Sequence, residues 1–278
     1  MLEIYSGNSR ADIDTLGAYL SSLRIGSVEV LKESKDGHQT HGGCAVLSPF
    51  ANRIRKAEYT FEGVKYSLPK NSGEHSIHGL LRDYRWNIEK SGNNKLAVLS
   101  SVLKHPGYPS ELYSKLTYSI SEDSFSVGYL AFNTGSANCP LLIGFHPYFL
   151  TGNKWKLDYR GNIIKLLYRD QFFPSGETET ADLKSEDLHI SALDNCFRFD
   201  GDLRLISDNG TLLIRRSNMP YLVIYNGTFA GNDSVAIEPM TGAPDAFNNG
   251  IGLLRLRPGE SFSCGFGITV EQEIIGSL

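Results

Sequence analysis

Several features that often define a protein class are scarce or missing in this sequence. The 278 residues include four cysteines, and no pair of them has the two-residue spacing of a metal-binding knuckle. They are Cys44, Cys139, Cys196 and Cys264. Their scatter gives no disulfide framework, and reduced thiols are the simplest interpretation, although spacing alone leaves one bridge open. We therefore expect no metal site and no set of disulfides.

Basic clusters and long apolar stretches are missing as well. Lysine and arginine gather only in short pieces such as residues 53–56, and the formal net charge is −4, so nucleic acid is not an expected partner. No apolar stretch approaches the length of a bilayer span. The first twenty residues lack a basic leader followed by an apolar core, so we expect no signal peptide. These absences predict a cytoplasmic protein with no membrane partner.

Helical periodicity is also scarce, whereas a period of two, typical of strands with one buried face, is common. Residues 10–23 are the best candidate for a helix, and Gly17 weakens it. Strands are predicted at 116–120, at 125–132 and after the turn at 258–260, where apolar residues alternate from Phe262 to Val270.

Turn signals divide the chain into many short strands. Asn209-Gly210 and Glu62-Gly63 each predict a hairpin between two short strands. There is no internal repeat, low-complexity tract or Pro/Ser-rich linker. The sequence therefore predicts an all-β protein, an antiparallel β-sandwich, with residues 1–278 forming one domain.

Glu238 stands at the end of an apolar segment. Residues 235–237 predict a buried strand that ends at Glu238 and is stopped by Pro239. Desolvation there would raise the pKa of the carboxyl group, as a base working near neutral pH requires. The alternative is a glutamate paired with an arginine at a strand end.

His146 lies in an apolar and aromatic run, residues 141–150, in which Tyr148 carries the one other titratable group. A histidine in such a run is more often a satisfied core residue than a catalyst. Burial would lower its pKa and a nearby carboxylate would raise it, and the second environment is the one that suits a proton donor.

Three more segments place polar groups beside apolar ones. Arg53 follows Asn52 after a short apolar stretch. The alternative is a surface arginine whose aliphatic side-chain carbons cover apolar surface. Asp194 precedes an apolar segment, where the alternative is a turn-capping residue. His75 and His78 are three residues apart, but flanking glycines favour a loop and no third ligand follows, so a metal site is weakly indicated.

Taken in order, five segments resemble the aldose 1-epimerase (galactose mutarotase) family. They are FANRI at 50–54, SIHGL at 76–80, FHPYFL at 145–150, LDNCF at 193–197 and EPMTGAPDAFN at 238–248. The best-known galactose mutarotases carry an Asn-His with Ser or Thr before the Tyr-Phe, and they are longer. FHPYFL resembles instead a bacterial and archaeal branch of the family, which leaves the preferred sugar open.

The resemblance implies a galactose mutarotase-type sandwich that acts on a monosaccharide without a cofactor, as a monomer or homodimer. It implies that Glu238 is the general base and His146 the general acid. Arg53, His78 and Asp194, and more weakly Asn52, match residues that hydrogen-bond the sugar.

Ring opening fits a carboxylate and an imidazolium, which we expect on opposite sides of the sugar. One removes the proton of the anomeric hydroxyl group and the other delivers a proton to the ring oxygen. An aromatic platform for the sugar is expected from among Tyr84, Trp86, Tyr148 and Phe247.

Three alternatives to a mutarotase of free aldoses stay open. One is a non-catalytic sugar-binding or sensing protein on the same fold, and another is a mutarotase of hexose 6-phosphates. The third is a glycoside hydrolase, which needs two carboxyl groups at a defined separation, such as Glu238 with Asp194 or Asp245.

Overall fold

The structure is a computed structural model, and it describes residues 1–92, 94–185, 188–227 and 229–271. Within these residues short strands dominate. In chain order they are β1 (Leu2–Ser6), β2 (Ser9–Ile13), β3 (Leu20–Ile25), β4 (Val28–Glu29), β5 (Cys44–Leu47), β6 (Arg53–Ile54), β7 (Glu58–Phe61), β8 (Val64–Ser67), β9 (Ser76–Ile77), β10 (Asn87–Gly92), β11 (Leu96–Leu103), β12 (Leu112–Ile120), β13 (Ser124–Asn133), β14 (Cys139–Leu141), β15 (Gly144–Leu150), β16 (Trp155–Tyr159), β17 (Ile163–Tyr168), β18 (Pro174–Ala181), β19 (Asp194–Arg198), β20 (Leu203–Ser207), β21 (Gly210–Ser217), β22 (Tyr221–Tyr225), β23 (Ser234–Met240), β24 (Leu254–Leu256) and β25 (Ser261–Glu271).

Helical structure is limited to short pieces in the described residues. A four-residue α-helix, α1, covers Ala246–Asn249, and single 3-10 turns cover Arg55–Ala57, Leu81–Asp83 and Leu188–Ile190. None of these helices is long and apolar enough to cross a membrane.

Two antiparallel sheets make up most of the fold. The large sheet has the order β1-β2-β3-β5-β15-β23-β22-β19-β17-β18, with β4 beside β3. The second sheet has the order β10-β11-β12-β13-β25-β21-β20-β16. Their apolar faces share one main buried cluster, in which Phe145 of the large sheet and Phe266 of the second sheet lie 5.2 Å apart between ring centroids. The predicted antiparallel, all-β fold is confirmed.

The period of two in the sequence corresponds to buried strand faces. β12 alternates between buried and partly exposed residues along its whole length. In β25, Cys264, Phe266 and Ile268 are buried, and Phe262 packs against the same core. The strands predicted from alternation are therefore confirmed.

The two predicted hairpins also form. Glu62 and Gly63, both with positive φ, join β7 to β8, as expected. In the other hairpin Ser207 pairs with Gly210, so the two-residue turn is Asp208-Asn209, one residue earlier than predicted. Gly210 itself begins β21.

The helix predicted for residues 10–23 is wrong. This segment forms β2 and β3, whose ends pair through Ile13 and Leu20. Gly17 has a φ of +71°, and a Cβ atom there would overlap the backbone carbonyl of Arg82. The glycine therefore belongs to a tight turn between two strands, where a left-handed backbone and a close approach are both required.

The strand before Pro239 is longer than predicted. β23 continues through Pro239 to Met240, and Pro239 pairs with Leu222 of β22. Proline has no N–H to donate, and the register between β15 and β23 is interrupted between Gly144 and Tyr148. That interval contains Pro147 and faces the part of β23 that contains Pro239.

Candidate active site

Two neighbouring central strands of the large sheet carry His146 and Glu238. Gly144 pairs with Met240 and Tyr148 pairs with Ala236, so the register places His146 on β15 opposite Glu238 on β23. Side chains alternate along a strand. Phe145 and Ile237 therefore enter the core between the sheets, while His146 and Glu238 face the other side of the large sheet.

The two side chains are in direct contact and almost fully buried. His146 Nε2 lies 3.3 Å from Glu238 Oε1, and their side chains are 6% and 3% exposed. They stand side by side on one wall, so the expectation that they flank the ligand from opposite sides is wrong. The reason is the strand register, which makes them cross-strand neighbours.

The contact lies in a cavity of about 520 Å³. All six predicted site residues line it, namely Asn52, Arg53, His78, His146, Asp194 and Glu238. They come from five separate segments of the chain. A second cavity of about 590 Å³ lies around Arg55 and Asp245 and contains none of the six.

Two short paired strands position Arg53 and His78. Arg53 of β6 pairs with Ile77 of β9, and the backbone N–H of His78 donates to the carbonyl of Asn52 at 3.0 Å. The side-chain oxygen of Asn52 accepts the backbone N–H of Arg53 at 2.8 Å, so Asn52 helps to shape this loop. Asn52 and His78 both have positive φ, which reflects a tight backbone path beside the cavity.

The guanidinium group of Arg53 is held over an aromatic ring. Its Cζ atom lies 3.9 Å from the ring centroid of Phe172, within the range of a cation–π contact. Arg53 Nε and His78 Nδ1 are buried and have no hydrogen-bond partner among the described residues. Such groups are rare in proteins unless water or a ligand satisfies them.

Asp194 begins β19 and faces the same cavity. It pairs with Tyr225 of β22, which also lines the cavity wall. Burial raises the pKa of the Asp194 carboxyl group, and the positive charge of Arg53 lowers it. Asp194 is thus a paired strand residue that lines the cavity, and it does not act as the turn-capping residue of the alternative interpretation.

Burial acts in opposite directions on the central pair. It raises the pKa of Glu238 well above its ordinary value, with the charge of Asp194 adding to the effect and that of Arg53 opposing it. Burial also lowers the pKa of His146 to about 3. The rise at Glu238 follows the sequence-based expectation. The carboxyl group near His146 does not keep the imidazole protonated, because burial favours the neutral form of both groups.

Between the lowered pKa of His146 and the raised pKa of Glu238, the free pair therefore holds one proton. A carboxylic acid beside a neutral imidazole contains as many protons as a carboxylate beside an imidazolium. Transfer of that proton across the 3.3 Å contact would interconvert the two forms. The pair is thus able to take up one proton and release another without changing its net charge.

The aromatic lining of the cavity was predicted only in part. Tyr148 lines it, and its ring stacks on His146 at 4.8 Å between centroids. Tyr84, Trp86 and Phe247 do not line it. Trp86 instead donates to the backbone carbonyl of Leu81, and Phe247 packs on Phe50 and Tyr59.

Further cavity residues come from segments without an apolar-to-polar signal. His38 and His41 stack at 4.2 Å between centroids, and His41 stacks on Phe229 at 4.5 Å. Phe172 lies in the loop between β17 and β18, where its N–H donates to Asp170. The one sequence hint was the clustering of histidine in residues 38–41.

Two alternatives lose support in this structure. His75 accepts the backbone N–H of Lys56 through Nδ1 at 3.0 Å, and it does not line the cavity that contains His78. No group of three metal-ligating side chains occurs in residues 1–92, 94–185, 188–227 and 229–271. Asp245 accepts the backbone N–H of Arg55 and does not line the cavity that contains Glu238, so the structure does not support a hydrolase pair of Glu238 with Asp245.

A β-sandwich with a buried carboxyl–imidazole pair in a polar cavity has a candidate acid–base site for a small polar ligand. The family model for aldose 1-epimerase matches residues 1–269. The chain belongs to the aldose 1-epimerase family, and this membership supports an isomerase that acts on carbohydrate.

Two relatives and one solved structure show how similar this chain is to other proteins. The uncharacterized protein YihR of Escherichia coli K12 is 28% identical over 288 residues, which cover 96% of this chain and 92% of that protein. A galactose mutarotase of Sus scrofa is 29% identical over 192 residues, which cover 63% of this chain and 54% of that enzyme. The solved structure of a GalM/aldose epimerase homologue from Caenorhabditis elegans superposes with a TM-score of 0.84 at 20% identity, covering 98% of each chain.

Proposed function

We propose that this protein interconverts the α and β anomers of an aldose, with Glu238 as general base and His146 as general acid. The observation that carries the proposal is the buried contact of 3.3 Å between the two side chains within a polar cavity. Membership of the aldose 1-epimerase family supports the same reaction class.

The side-by-side arrangement suits the bonds that change. The anomeric hydroxyl oxygen and the ring oxygen are both bonded to the anomeric carbon, so two neighbouring side chains reach both of them. Glu238 takes the hydroxyl proton while His146 gives a proton to the ring oxygen, and the bond from the anomeric carbon to the ring oxygen breaks. The product is the open-chain aldehyde.

Ring closure runs through the same pair in reverse. The anomeric carbon turns by rotation about its bond to the next carbon, and the regenerated hydroxyl group attacks its other face. His146 recovers the proton and Glu238 returns one to the new anomeric oxygen. No electron and no group is transferred overall, so the reaction needs no cofactor.

The remaining predicted residues would bind the sugar. Arg53 Nε, His78 Nδ1 and Glu238 Oε2 are buried without a hydrogen-bond partner among the described residues. A polyhydroxylated ligand offers donors and acceptors to such groups. We propose that Arg53, His78 and Asp194 hydrogen-bond hydroxyl groups, and that Asn52 acts mainly by holding the loop that carries Arg53.

Polarimetry of freshly dissolved α-D-glucose and α-D-galactose, with and without protein, tests this proposal. The wild-type protein should speed the approach to equilibrium, and Glu238→Gln should reduce the catalysed rate by roughly 10²- to 10⁴-fold. Glu29→Gln, which changes an exposed glutamate, is the matched control and should leave the rate unchanged.

The outcome also separates the alternatives. Sugar binding with no change in the rate of anomer interconversion would indicate a binding or sensing protein. Near-normal activity of a correctly folded Glu238→Gln variant would remove Glu238 from the role of base.

A further inference from the structure

Arg53 and Arg55 project from the same side of one short extended segment. Ile54, which lies between them, has extended backbone angles, with a φ of −113° and a ψ of 122°, and its side chain is buried. Side chains two residues apart on an extended chain point the same way. Arg53 lines the cavity that contains Glu238, which we call the reacting cavity, whereas Arg55 lines the second cavity around Asp245.

Each of the two arginines lies over one ring of a consecutive phenylalanine pair. Arg53 Cζ lies 3.9 Å from the ring centroid of Phe172, and Arg55 Cζ lies 4.0 Å from that of Phe173. Both distances are within the range of a cation–π contact. The Nε atom of Arg53 is buried and has no hydrogen-bond partner in the part of the chain that the structure describes. The direction of the Arg53 guanidinium group therefore depends on where the Phe172 ring lies.

Asp170 sets the position of both rings. One of its carboxyl oxygens, Oδ1, accepts the backbone N–H of Phe172 at 3.1 Å and that of Phe173 at 3.2 Å. The other oxygen, Oδ2, accepts a hydrogen bond from Arg55 Nη2 at 3.0 Å. The same carboxyl group thus shapes the loop between β17 and β18 and ties that loop to the segment that carries Arg53.

Asp245 fixes the backbone of the arginine segment. Its N–H donates to the carbonyl of Arg53 at 2.9 Å, and its Oδ1 atom accepts the N–H of Arg55 at 3.0 Å. Asn248 Nδ2 donates to the same oxygen at 2.7 Å. Asp245 is buried and has a φ of +62°, a left-handed conformation that few non-glycine residues adopt. Such a conformation persists where the surrounding contacts fix it.

Together these contacts form a closed chain that begins and ends at Arg53. Asp245 holds the backbone of Arg53 and of Arg55. The Arg55 side chain binds Asp170, which orients Phe172. The Phe172 ring in turn contacts the guanidinium group of Arg53. A change at Arg55 therefore reaches Arg53 through the loop, although Arg55 does not line the reacting cavity itself.

We propose that Arg55 is a positioning residue for sugar binding, which acts by holding Phe172 against the guanidinium group of Arg53. The side chains of Arg55 and Asp170 are 40% and 43% exposed, and an exposed ion pair contributes little to stability. The contribution of Arg55 should therefore appear in substrate binding more than in folding. This inference rests on the proposed mutarotase activity and assigns a further residue to the same site.

Steady-state mutarotation kinetics of Arg55→Ala test the inference. KM should rise by roughly 3- to 30-fold, because Arg53 is less well oriented, while kcat should change by less than about 2-fold. The melting temperature should fall by less than about 4 °C. Asp170→Asn keeps an acceptor for the Phe172 N–H and removes the charge that faces Arg55, so it should raise KM in the same way.

A double-mutant cycle shows whether Arg55 acts through Arg53. In an Arg53→Ala background, Arg55→Ala should change kcat/KM by less than about 2-fold, because the group that Arg55 positions is gone. Arg215→Ala is the matched control. It removes another exposed arginine that pairs with an aspartate, Asp202, and that does not line the reacting cavity. This control should leave KM unchanged.

NMR of the free protein gives a readout that does not depend on catalysis. The ring current of Phe172 should shift the guanidinium resonances of Arg53 upfield, because the group lies over the face of the ring. These resonances are assigned by their loss in Arg53→Lys, and Phe172→Leu gives the unshifted reference. Arg55→Ala should move them towards that reference.

An unchanged KM in Arg55→Ala, or an equal loss of kcat/KM in the wild-type and Arg53→Ala backgrounds, would overturn the inference. A fall in kcat together with a large fall in melting temperature would indicate a structural role and would overturn it as well. Absence of turnover with every sugar tested would instead contradict the mutarotase activity. In that case the Arg53 resonances decide, and the inference fails if Arg55→Ala leaves them where they are in the wild type.

Discussion

Burial sets the protonation of the two side chains at the centre of the site. Glu238 and His146 each lose contact with water, and burial moves their pKa values in opposite directions. The pKa of Glu238 is raised and that of His146 is lowered to about 3. Over the pH range between these values the pair carries one proton, which is the state that ring opening requires.

The pH dependence of catalysis should reflect this pair. A second proton binds only as pH falls towards the lowered pKa of His146, about 3. The remaining proton is lost only as pH rises through the raised pKa of Glu238. After subtraction of the uncatalysed rate, kcat/KM should therefore show no loss on the acid side until pH falls to about 4. An acid limb with an apparent pKa near 6.5, the ordinary value for histidine, would contradict this assignment.

Arg53 should act mainly in binding. Its guanidinium group is fixed over Phe172 and lies in the cavity with Asp194. Loss of a charge-assisted hydrogen bond costs about 1.5–3 kcal/mol, so Arg53→Ala should raise KM by roughly 10- to 100-fold with a smaller effect on kcat. Steady-state kinetics measure both constants, and Arg53→Lys separates charge from the planar geometry. An unchanged KM in Arg53→Ala would remove Arg53 from sugar binding.

Single residues were predictable where a polar group interrupted an apolar segment. Glu238, His146 and Arg53 all fit that pattern, and all three line one cavity. Phe172, Phe229 and Arg82 were not found, because nothing in their local sequence distinguishes a cavity wall from a surface loop. The side-by-side contact of Glu238 with His146 was also missed, since it depends on strand register.

At the level of strands and loops, the central strands β15 and β23 are each held by their other neighbouring strand where the pairing between the two is interrupted. β15 pairs with β5 from Gly144 to Pro147, which covers the interval where its pairing with β23 is broken. β23 pairs with β22 without a break from Ala236 to Met240. Near Pro147 and Pro239, both strands therefore stay paired with their outer neighbours, β15 with β5 and β23 with β22.

The loop that carries His78 depends on a glycine at position 79. Gly79 has a φ of +76°, and a Cβ atom there would overlap the backbone of Ser48. Gly79→Ala should therefore lower the free energy of unfolding by about 1–3 kcal/mol and raise KM through displacement of His78. Chemical denaturation and steady-state kinetics measure the two effects.

Gly63 provides a matched control for this substitution. It has a φ of +79° in the β7–β8 hairpin, and a Cβ atom there would meet no other atom within 4 Å. Gly63→Ala thus introduces the backbone strain without the overlap, and it should cost less stability and leave KM unchanged. Equal losses in both variants would show that the close approach to Ser48 is unimportant.

Strands were predictable from periodicity, and their partners were not. The alternation in β12 and β25 is visible in the sequence because one face of each strand is buried. The helix predicted for residues 10–23 was wrong because the two short strands and the turn of this segment place apolar residues at spacings that also fit a helix. The positions of Gly17 against Arg82 and of β15 beside β23 arise from contacts between distant parts of the chain.

At the level of the whole molecule, the sandwich brings together segments that lie far apart in the chain. The six predicted site residues span positions 52 to 238 and meet at one cavity on the large sheet. The order of segments typical of the aldose 1-epimerase family indicated that they belong together, and the family match over residues 1–269 agrees. Physical reasoning from local sequence had no means to place them in one cavity.

The central claim is that Glu238 and His146 work as one proton-sharing unit, and a double-mutant cycle tests it most directly. Mutarotation rates of the wild type, Glu238→Gln, His146→Asn and the double variant would be measured at one pH, with folding checked by circular dichroism. Each single change should reduce kcat/KM by roughly 10²- to 10⁴-fold, and the double variant should be no slower than the slower single variant. Independent, multiplicative losses in the double variant, or near-normal activity in either folded single variant, would contradict the claim.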